Sequence, residues 1–246
     1  MEVIGIIPAR YSSARFQGKV LADILGKPMI QHVWERAKQA LLLEDLIIAC
    51  DDERLAKVAQ EFGAKVVMTA KAHASGTDRI IEVVNPIDVR IIINIQADEP
   101  LVNPQMINAV AQALLDDSSI SMATVMKTIE DPQVINDPNV VKVVIDKNNF
   151  ALYFSRLPIP FHAKESEIRL PIYFKHIGLY GYTKDFLFIY KNLPVSYLER
   201  VECLEQLRVL EEGFRIKVIE TKYDTIGVDT PEDLEKVKQY LQKEKV

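Results

Sequence analysis

The sequence predicts an α/β protein: a three-layer arrangement with a mostly parallel central sheet covered by helices, and an additional antiparallel β region in the C-terminal half. Three observations carry that expectation. Short apolar runs alternate with amphipathic stretches through the first half of the chain, the rhythm of strands joined by helical crossovers. Runs such as Ile91-Ile92-Ile93 are apolar at every position, as a strand must be when helices cover both its faces. From about Ser121 the strand-like segments follow one another without long helical patterns between them, which suits antiparallel pairs added to the core sheet.

In chain order, strands are predicted at Val3–Ile7, Leu46–Ala49, Lys65–Val67 and Arg90–Ile95, with helices at Met29–Ala40, Glu53–Phe62, Thr77–Val84 and Pro104–Leu115. The second half offers strands at Ser121–Lys127, Val140–Ile145, Ala151–Ser155 and Lys175–Tyr182. Pro158, Pro160 and Pro171 interrupt the stretch from Leu157 to Tyr173, which reads as a protruding excursion usable as a lid or a dimer arm. A helix is expected over Tyr197–Glu212, ended by Gly213 at the position after the cap, with a strand returning at Arg215–Ile219. The last helix has plain start signals: Thr230 as N-cap, Pro231 in the first helical position, and Glu232 and Asp233 facing the positive end of the dipole.

Composition narrows the function classes. With 246 residues, 48% of them apolar, the chain can bury a large core. Thirty Lys and Arg against 35 Asp and Glu leave a net charge of −5, so there is no global basic field, a polynucleotide partner is disfavoured, and any cationic site is local. Cys50 and Cys203 stand in separate apolar surroundings without C-x-x-C or zinc-type spacing, the pattern of two buried thiols in a reducing compartment. The N-terminus enters a strand at once and no apolar run approaches the ~18 residues of a membrane span. A cytoplasmic protein is expected.

The most informative segment follows the first strand. Arg10, Arg15 and Lys19 stand among small residues in the polar loop after Pro8, and such a loop lets guanidinium forks, an ammonium and backbone N–H groups converge on a polyphosphate. It matches neither G-x-x-x-x-G-K-[ST] nor G-x-G-x-x-G, which argues against an ATPase or a dehydrogenase. The strand Arg90–Ile95 runs into Gln96-Ala97-Asp98-Glu99-Pro100. Asp98 at that carboxyl end can hold Mg²⁺, which needs only one or two protein carboxylates beside substrate phosphates and water. Asp229, after Gly227 and before the last helix, is a second carboxylate able to flank the same ion, and capping is its competing role. Ala72-His73-Ala74-Ser75-Gly76-Thr77-Asp78-Arg79 is a small-residue turn opening a helix, suited to a flat base or to a plain helix cap. Further on, Arg156, His176, Tyr180, Glu202, Glu205 and Gln206 are polar residues in or beside apolar stretches. Spacing puts the last three on one face of the expected helix. His176 in a strand also suits a hydrogen-bonded structural role.

On the motifs Ile7-Pro8-Ala9-Arg10 with Gly18-Lys19, Ser75-Gly76-Thr77-Asp78-Arg79, Gln96 with Asp98-Glu99-Pro100, Ala151 to Arg156, Lys175 to Gly181, Leu204 to Arg208 and Gly227 to Pro231, the chain resembles the 3-deoxy-manno-octulosonate cytidylyltransferase family from about Ile4 to Lys238. The resemblance implies a nucleotidyltransferase-like, Rossmann-like version of the predicted sheet. It also implies transfer of CMP from CTP to 3-deoxy-D-manno-octulosonate (Kdo), with pyrophosphate released and Mg²⁺ as cofactor. Under it, Arg10, Arg15 and Lys19 hold the triphosphate, Ala72, Ser75 and Arg79 lie at the nucleotide, and Asp98 and Asp229 bind the metal. Arg10, Lys19 and Asp98 then carry catalysis, while Gln96, Arg156, His176, Tyr180, Glu205 and Gln206 face the sugar, Arg156 toward its carboxylate. The single domain, 1–246, divides accordingly into a nucleotide-binding half at 1–120, a sugar-binding and dimerisation region at 121–225, and the metal aspartate with the C-terminal helix at 226–246. A homodimer is implied. An amino-substituted Kdo or a sialic acid as acceptor, and a catalytically silent nucleotide-binding regulator, are the alternatives. Gln17 stands where the family usually has proline and Ala97 where it has glycine, so altered affinity is expected.

Overall fold

The computed structural model describes residues 1–12, 16–73, 75–162 and 173–244. The first half contains β1 (Val3–Ala9), a hairpin of β2 (Asp23–Ile24) and β3 (Lys27–Pro28), α1 (Met29–Ala37), β4 (Asp45–Cys50) and α2 (Glu53–Glu61). It continues through β5 (Lys65–Met68), α3 (Gly76–Val84), β6 (Ile91–Asn94) and α4 (Pro104–Asp116). The second half contains β7 (Met122–Thr128), α5 (Pro132–Ile135), β8 (Lys142–Ile145), β9 (Ala151–Ser155) and β10 (Phe174–Thr183). It ends with α6 (Lys184–Asn192), α7 (Tyr197–Glu202), α8 (Leu207–Glu211), β11 (Lys217–Glu220) and α9 (Pro231–Glu244).

One sheet runs in the order β11-β7-β10-β6-β1-β4-β5, with β8 on β10 and β9 on β8. β1 pairs in parallel with both β4 and β6, and β4 with β5, so the near-continuous apolar runs are strands buried on both faces. Alternate side chains divide between the layers: Ile4, Ile6 and Ile92 pack with Ile80 of α3, Phe186 of α6 and Leu207 of α8. Val3, Ile7 and Ile93 pack on the other face with Val33 of α1, Ile107 of α4 and Val237 of α9. The sheet is therefore mostly parallel and three-layered. β10 runs against both β6 and β7, while β11 returns parallel to β7. Gly181 in β10 lets α4 approach: a Cβ there would stand 2.6 Å from Val110 Cγ1.

Four local expectations need correction. The helix expected over Tyr197–Glu212 is two helices, because Cys203 takes a left-handed conformation (φ 53°) that ends α7 before α8 begins. Cys203 is consequently exposed and only Cys50 is a buried thiol. α1 stops at Ala37, three residues short of the expected end. The helix α6, unforeseen, is capped by Thr183 and buries Phe186, Leu187 and Tyr190. No helix among the described residues is long and apolar enough to cross a membrane.

Candidate active site

The parallel strands β1 and β6 end side by side, and the chain leaving each supplies the site. This is where open α/β sheets bind ligands. From β1 the loop passes Arg10, and the Gly18 N–H donates to the Tyr11 carbonyl at 3.1 Å. Gly18 is left-handed (φ 69°) and turns the chain into the short 3₁₀ segment Lys19–Leu21, which aims Lys19 back at the strand ends. Arg10 and Lys19, with Gln96, Ala97 and Asp98 after β6, line a cavity of about 220 Å³. Across from them, His73, Ser75, Gly76 and Arg79 come from the start of α3, and Glu205 closes the rim.

Lys19 is the hub. Its ammonium donates to Asp98 Oδ2 at 2.6 Å, to the Val228 carbonyl at 3.0 Å and to Asp229 Oδ1 at 3.1 Å. Burial opposes the charged form of Lys19, but the two carboxylates outweigh it and its pKa is raised. Backbone bonding explains how Asp229 reaches a site built so far away in sequence: the Val228 N–H donates to the Asp98 carbonyl at 2.9 Å. The Thr225 hydroxyl donates to Glu99, and a Cβ at Gly227 would stand 3.1 Å from the Glu99 carboxylate. Glycine thus lets the 225–230 segment lie against the strand end. Desolvation, with Asp98 adding to it, pushes the Glu99 carboxyl up to about 7 against the pull of the Thr225 hydroxyl. The Lys19 side chain is 13% exposed, whereas Asp98 and Asp229 are 34% and 48% exposed, so both acids stay open to a ligand.

On the α3 side, Ser75 accepts from the Asp78 N–H and Asp78 accepts from Ser75, a complete capping box. That satisfies two donors and leaves the Gly76 and Thr77 N–H groups outside the box. Arg79 is buried and held: one guanidinium N–H donates to Asp51 Oδ2 at 2.9 Å and another to the Thr69 hydroxyl. Asp51 Oδ1 also accepts from the Tyr11 N–H at 3.3 Å, tying the basic loop to this wall. Sequence reading missed Asp51 and His73. Asp51 was findable as an acid directly after a strand's carboxyl end, the signal that picked out Asp98.

The polar residues of the second half take different places. The break at Cys203 removes the shared helical face: Glu202 turns to the Ser155 hydroxyl (2.7 Å) and the Arg156 N–H (2.9 Å), Glu205 reaches the cavity, and Gln206 is buried. Protein packed around Glu205 desolvates its carboxyl and raises its pKa, Glu199 and Asp78 adding to this while Arg208 opposes it. Arg156 donates to the carbonyls of Glu202 (2.8 Å) and Pro138 (2.9 Å). Lys142, fully buried, donates to the carbonyls of Asp137 (2.9 Å), Val140 (2.5 Å) and Arg156 (2.6 Å). The His176 ring bonds to the Thr124 hydroxyl at 2.9 Å, and burial pushes its pKa down to about 3. The Tyr180 ring lies tilted by 48° beside it, and burial raises its hydroxyl pKa far above the ordinary value.

The structure thus gathers Arg10, Lys19, Ser75, Arg79, Gln96, Asp98 and Glu205 around one cavity, with Asp229 joined through Lys19. Ala72 is exposed beside it. Arg156, Tyr180 and Gln206 do not line that cavity, and His176 lines a neighbouring cleft of about 720 Å³ together with Lys175 and Asp229. Arg15 and most of the proline-containing excursion lie outside the described residues.

Among the described residues no group of three or more His, Cys, Asp or Glu forms a ready-made metal cage. The Asp98 and Asp229 pair still fits Mg²⁺, because that ion accepts two carboxylates and completes its shell from phosphates and water. The two acids already converge on one cation, the Lys19 ammonium.

A basic loop and paired acids at the strand ends of this sheet fit one class, a nucleotidyltransferase. Comparison with known proteins agrees, since the sequence profile of the Cytidylyltransferase family matches residues 4–219. The 3-deoxy-manno-octulosonate cytidylyltransferase of Solibacter usitatus is 55% identical, over 96% of this chain and 93% of that one. The protein of the same name from Geotalea uraniireducens is 50% identical over 99% of this chain and 100% of its own. The chain belongs to the 3-deoxy-manno-octulosonate cytidylyltransferase family. A solved structure of CMP:2-keto-3-deoxy-manno-octonic acid synthetase complexed with CTP matches with a TM-score of 0.93 and 42% identity, covering 99% of this chain and 100% of that one. A 4-diphosphocytidyl-2C-methyl-D-erythritol synthase from Anaerococcus prevotii, 12% identical with a TM-score of 0.64 over 98% of each chain, shares the fold.

Proposed function

We propose that this chain transfers CMP from CTP to Kdo, releasing pyrophosphate and supplying activated Kdo for lipopolysaccharide assembly, with Mg²⁺ held by Asp98 and Asp229. The observation that carries this reading is the convergence of those two acids on a single cation beside a cavity lined by Arg10 and Arg79. The strong likeness to a structure that holds CTP supports the choice of nucleotide.

The acceptor's anomeric hydroxyl attacks the α-phosphorus of CTP. The new O–P bond forms as the bond from the α-phosphorus to the bridging oxygen of the β-phosphate breaks, pyrophosphate takes the electron pair, and the hydroxyl proton passes to water. Little covalent work falls to the protein, which positions the partners in line and offsets growing charge. Arg10 and Lys19, with Arg15, hold the triphosphate. Arg79, fixed by Asp51 and Thr69, and the free N–H groups at the start of α3 frame the nucleotide. Mg²⁺ at the acid pair supplies Lewis-acid neutralisation of the phosphates. Gln96 and Glu205 at the cavity rim face the sugar, and Arg156, His176, Tyr180 and Gln206 shape the wall behind it.

A homodimer in the cytoplasm completes the reading. The exposed Leu152, Leu157 and Phe161 beside edge strand β9 supply apolar surface for a second copy, and two thiols without a disulfide suit a reducing compartment.

The test is pyrophosphate release from CTP, Kdo and Mg²⁺, with Asp98→Asn as control. Turnover should fall about 10²–10³-fold in the variant and vanish with a chelator. Running sialic acid and an amino-substituted Kdo alongside sets the acceptor. Equal release by wild type and Asp98→Asn would remove the acid pair from the mechanism.

A further inference from the structure

Lys19 occupies an unusual position for a phosphate-gripping lysine. Three oxygens from two separated segments, Asp98 Oδ2, Asp229 Oδ1 and the Val228 carbonyl, surround its ammonium at 2.6–3.1 Å. That oxygen set is the kind a hard cation takes. The lysine side chain is well covered while the acids are a third to a half exposed, so the ammonium sits inside and the carboxylates still face a ligand.

We infer that Lys19 is the resident counter-cation of the metal site: its ammonium holds Asp98 and Asp229 in the nucleotide-free enzyme and releases them to a divalent cation when a triphosphate takes over its charge. The inference rests on the reading that this acid pair holds the metal.

Charge decides the exchange. Two carboxylates without a partner repel one another, and Lys19 removes that repulsion while the site is empty of substrate. A divalent ion arriving alone meets a pair already held by an ammonium and must displace it. A polyanionic triphosphate in the cavity offers the ammonium a new anionic partner, and the acids come free. Lys19 itself lines that cavity, so its flexible side chain lies within reach of a triphosphate there. Nucleotide and metal are therefore taken up together, and the free enzyme binds divalent ions weakly.

The experiment titrates Mn²⁺, followed by electron paramagnetic resonance, into the nucleotide-free full-length protein. Wild type, Lys19→Met and Lys19→Met with Asp98→Asn are compared, each checked for folding by circular dichroism. Should Lys19→Met not fold, Lys19→Gln takes its place. Lys19→Met is expected to bind Mn²⁺ about tenfold tighter than wild type or more, and adding Asp98→Asn should abolish the gain. Mn²⁺ should also raise the melting midpoint of Lys19→Met more than that of wild type. Equal Mn²⁺ affinity in wild type and Lys19→Met, or a gain that survives Asp98→Asn, overturns the inference. Pyrophosphate release keeps the two readings apart: an inactive Asp98→Asn enzyme with unchanged Mn²⁺ binding in Lys19→Met sinks only the counter-cation role, whereas an active Asp98→Asn enzyme sinks the metal assignment itself.

Discussion

The nucleotide side of the site and the wall formed by β8, β9, β10, α7 and α8 are built to opposite rules. On the nucleotide side, charged groups balance one another, Lys19 against Asp98 and Asp229, and those two acids and the exposed Arg10 stay accessible while Arg79 is buried behind them. In the wall, polar groups are buried and spent on the protein itself. Lys142 and Arg156 grip backbone carbonyls, His176 bonds to Thr124, and Tyr180 stacks on Tyr182. The difference separates charge kept ready for a ligand from polarity used to hold a shape. Losses in the wall should register as stability, and losses on the nucleotide side as substrate binding or turnover.

Over its full pH window the largest stability effect is expected at His176. Its folded pKa of about 3 lies below the ordinary 6.5 because burial disfavours the charged ring. The unfolded chain therefore binds a proton first as the solution is acidified. Its contribution is present above pH 6.5 and is lost progressively between 6.5 and 3, roughly 4–5 kcal/mol over the whole window. Urea unfolding at pH 7.5 and pH 5 should show wild type losing about 2 kcal/mol more than His176→Gln. Parallel losses in the two proteins would mean that His176 is not held neutral.

Next comes Lys142→Met, which keeps the packing volume but takes the ammonium from the Val140 and Arg156 carbonyls, while the Asp137 carbonyl keeps the Val140 N–H. A loss of about 3 kcal/mol in urea unfolding is expected. A loss under 1 kcal/mol would show that water or the backbone replaces the ammonium easily, and the wall would then be less rigid than its bonding implies.

The smallest effect belongs to the other side. Arg79→Lys keeps the charge but gives up the fork that bonds Asp51 and Thr69 together. The KM for CTP should rise about tenfold, roughly 1.4 kcal/mol, with kcat nearly unchanged. A fall in kcat at constant KM would place Arg79 in the chemistry and blur the contrast drawn above.

The same contrast explains what could be read in advance. Arg10, Lys19 and Asp98 were legible because a polar, charged run directly after an apolar strand is a local pattern, and open α/β sheets put such ends together. The wall offered no comparable signal. Glu202, Glu205 and Gln206 have helical spacing, yet Cys203 at φ 53° sends Glu202 to Arg156 and Glu205 to the cavity. Nothing local announces a left-handed cysteine. Asp51 carries the same strand-end signal as Asp98, but its place between Arg79 and Tyr11 came only with folding.

By itself the sequence determined the three-layer α/β plan, the position of the basic loop, the capped starts of α3 and α9, and the family, because periodicity, caps and motifs are written over short distances. Only the tertiary structure decided that Asp229 meets Asp98 through one ammonium, that Arg79 is braced by Asp51, and that His176 is neutral and buried. Those outcomes depend on contacts between segments far apart in the chain, and on desolvation that exists only once the core has closed.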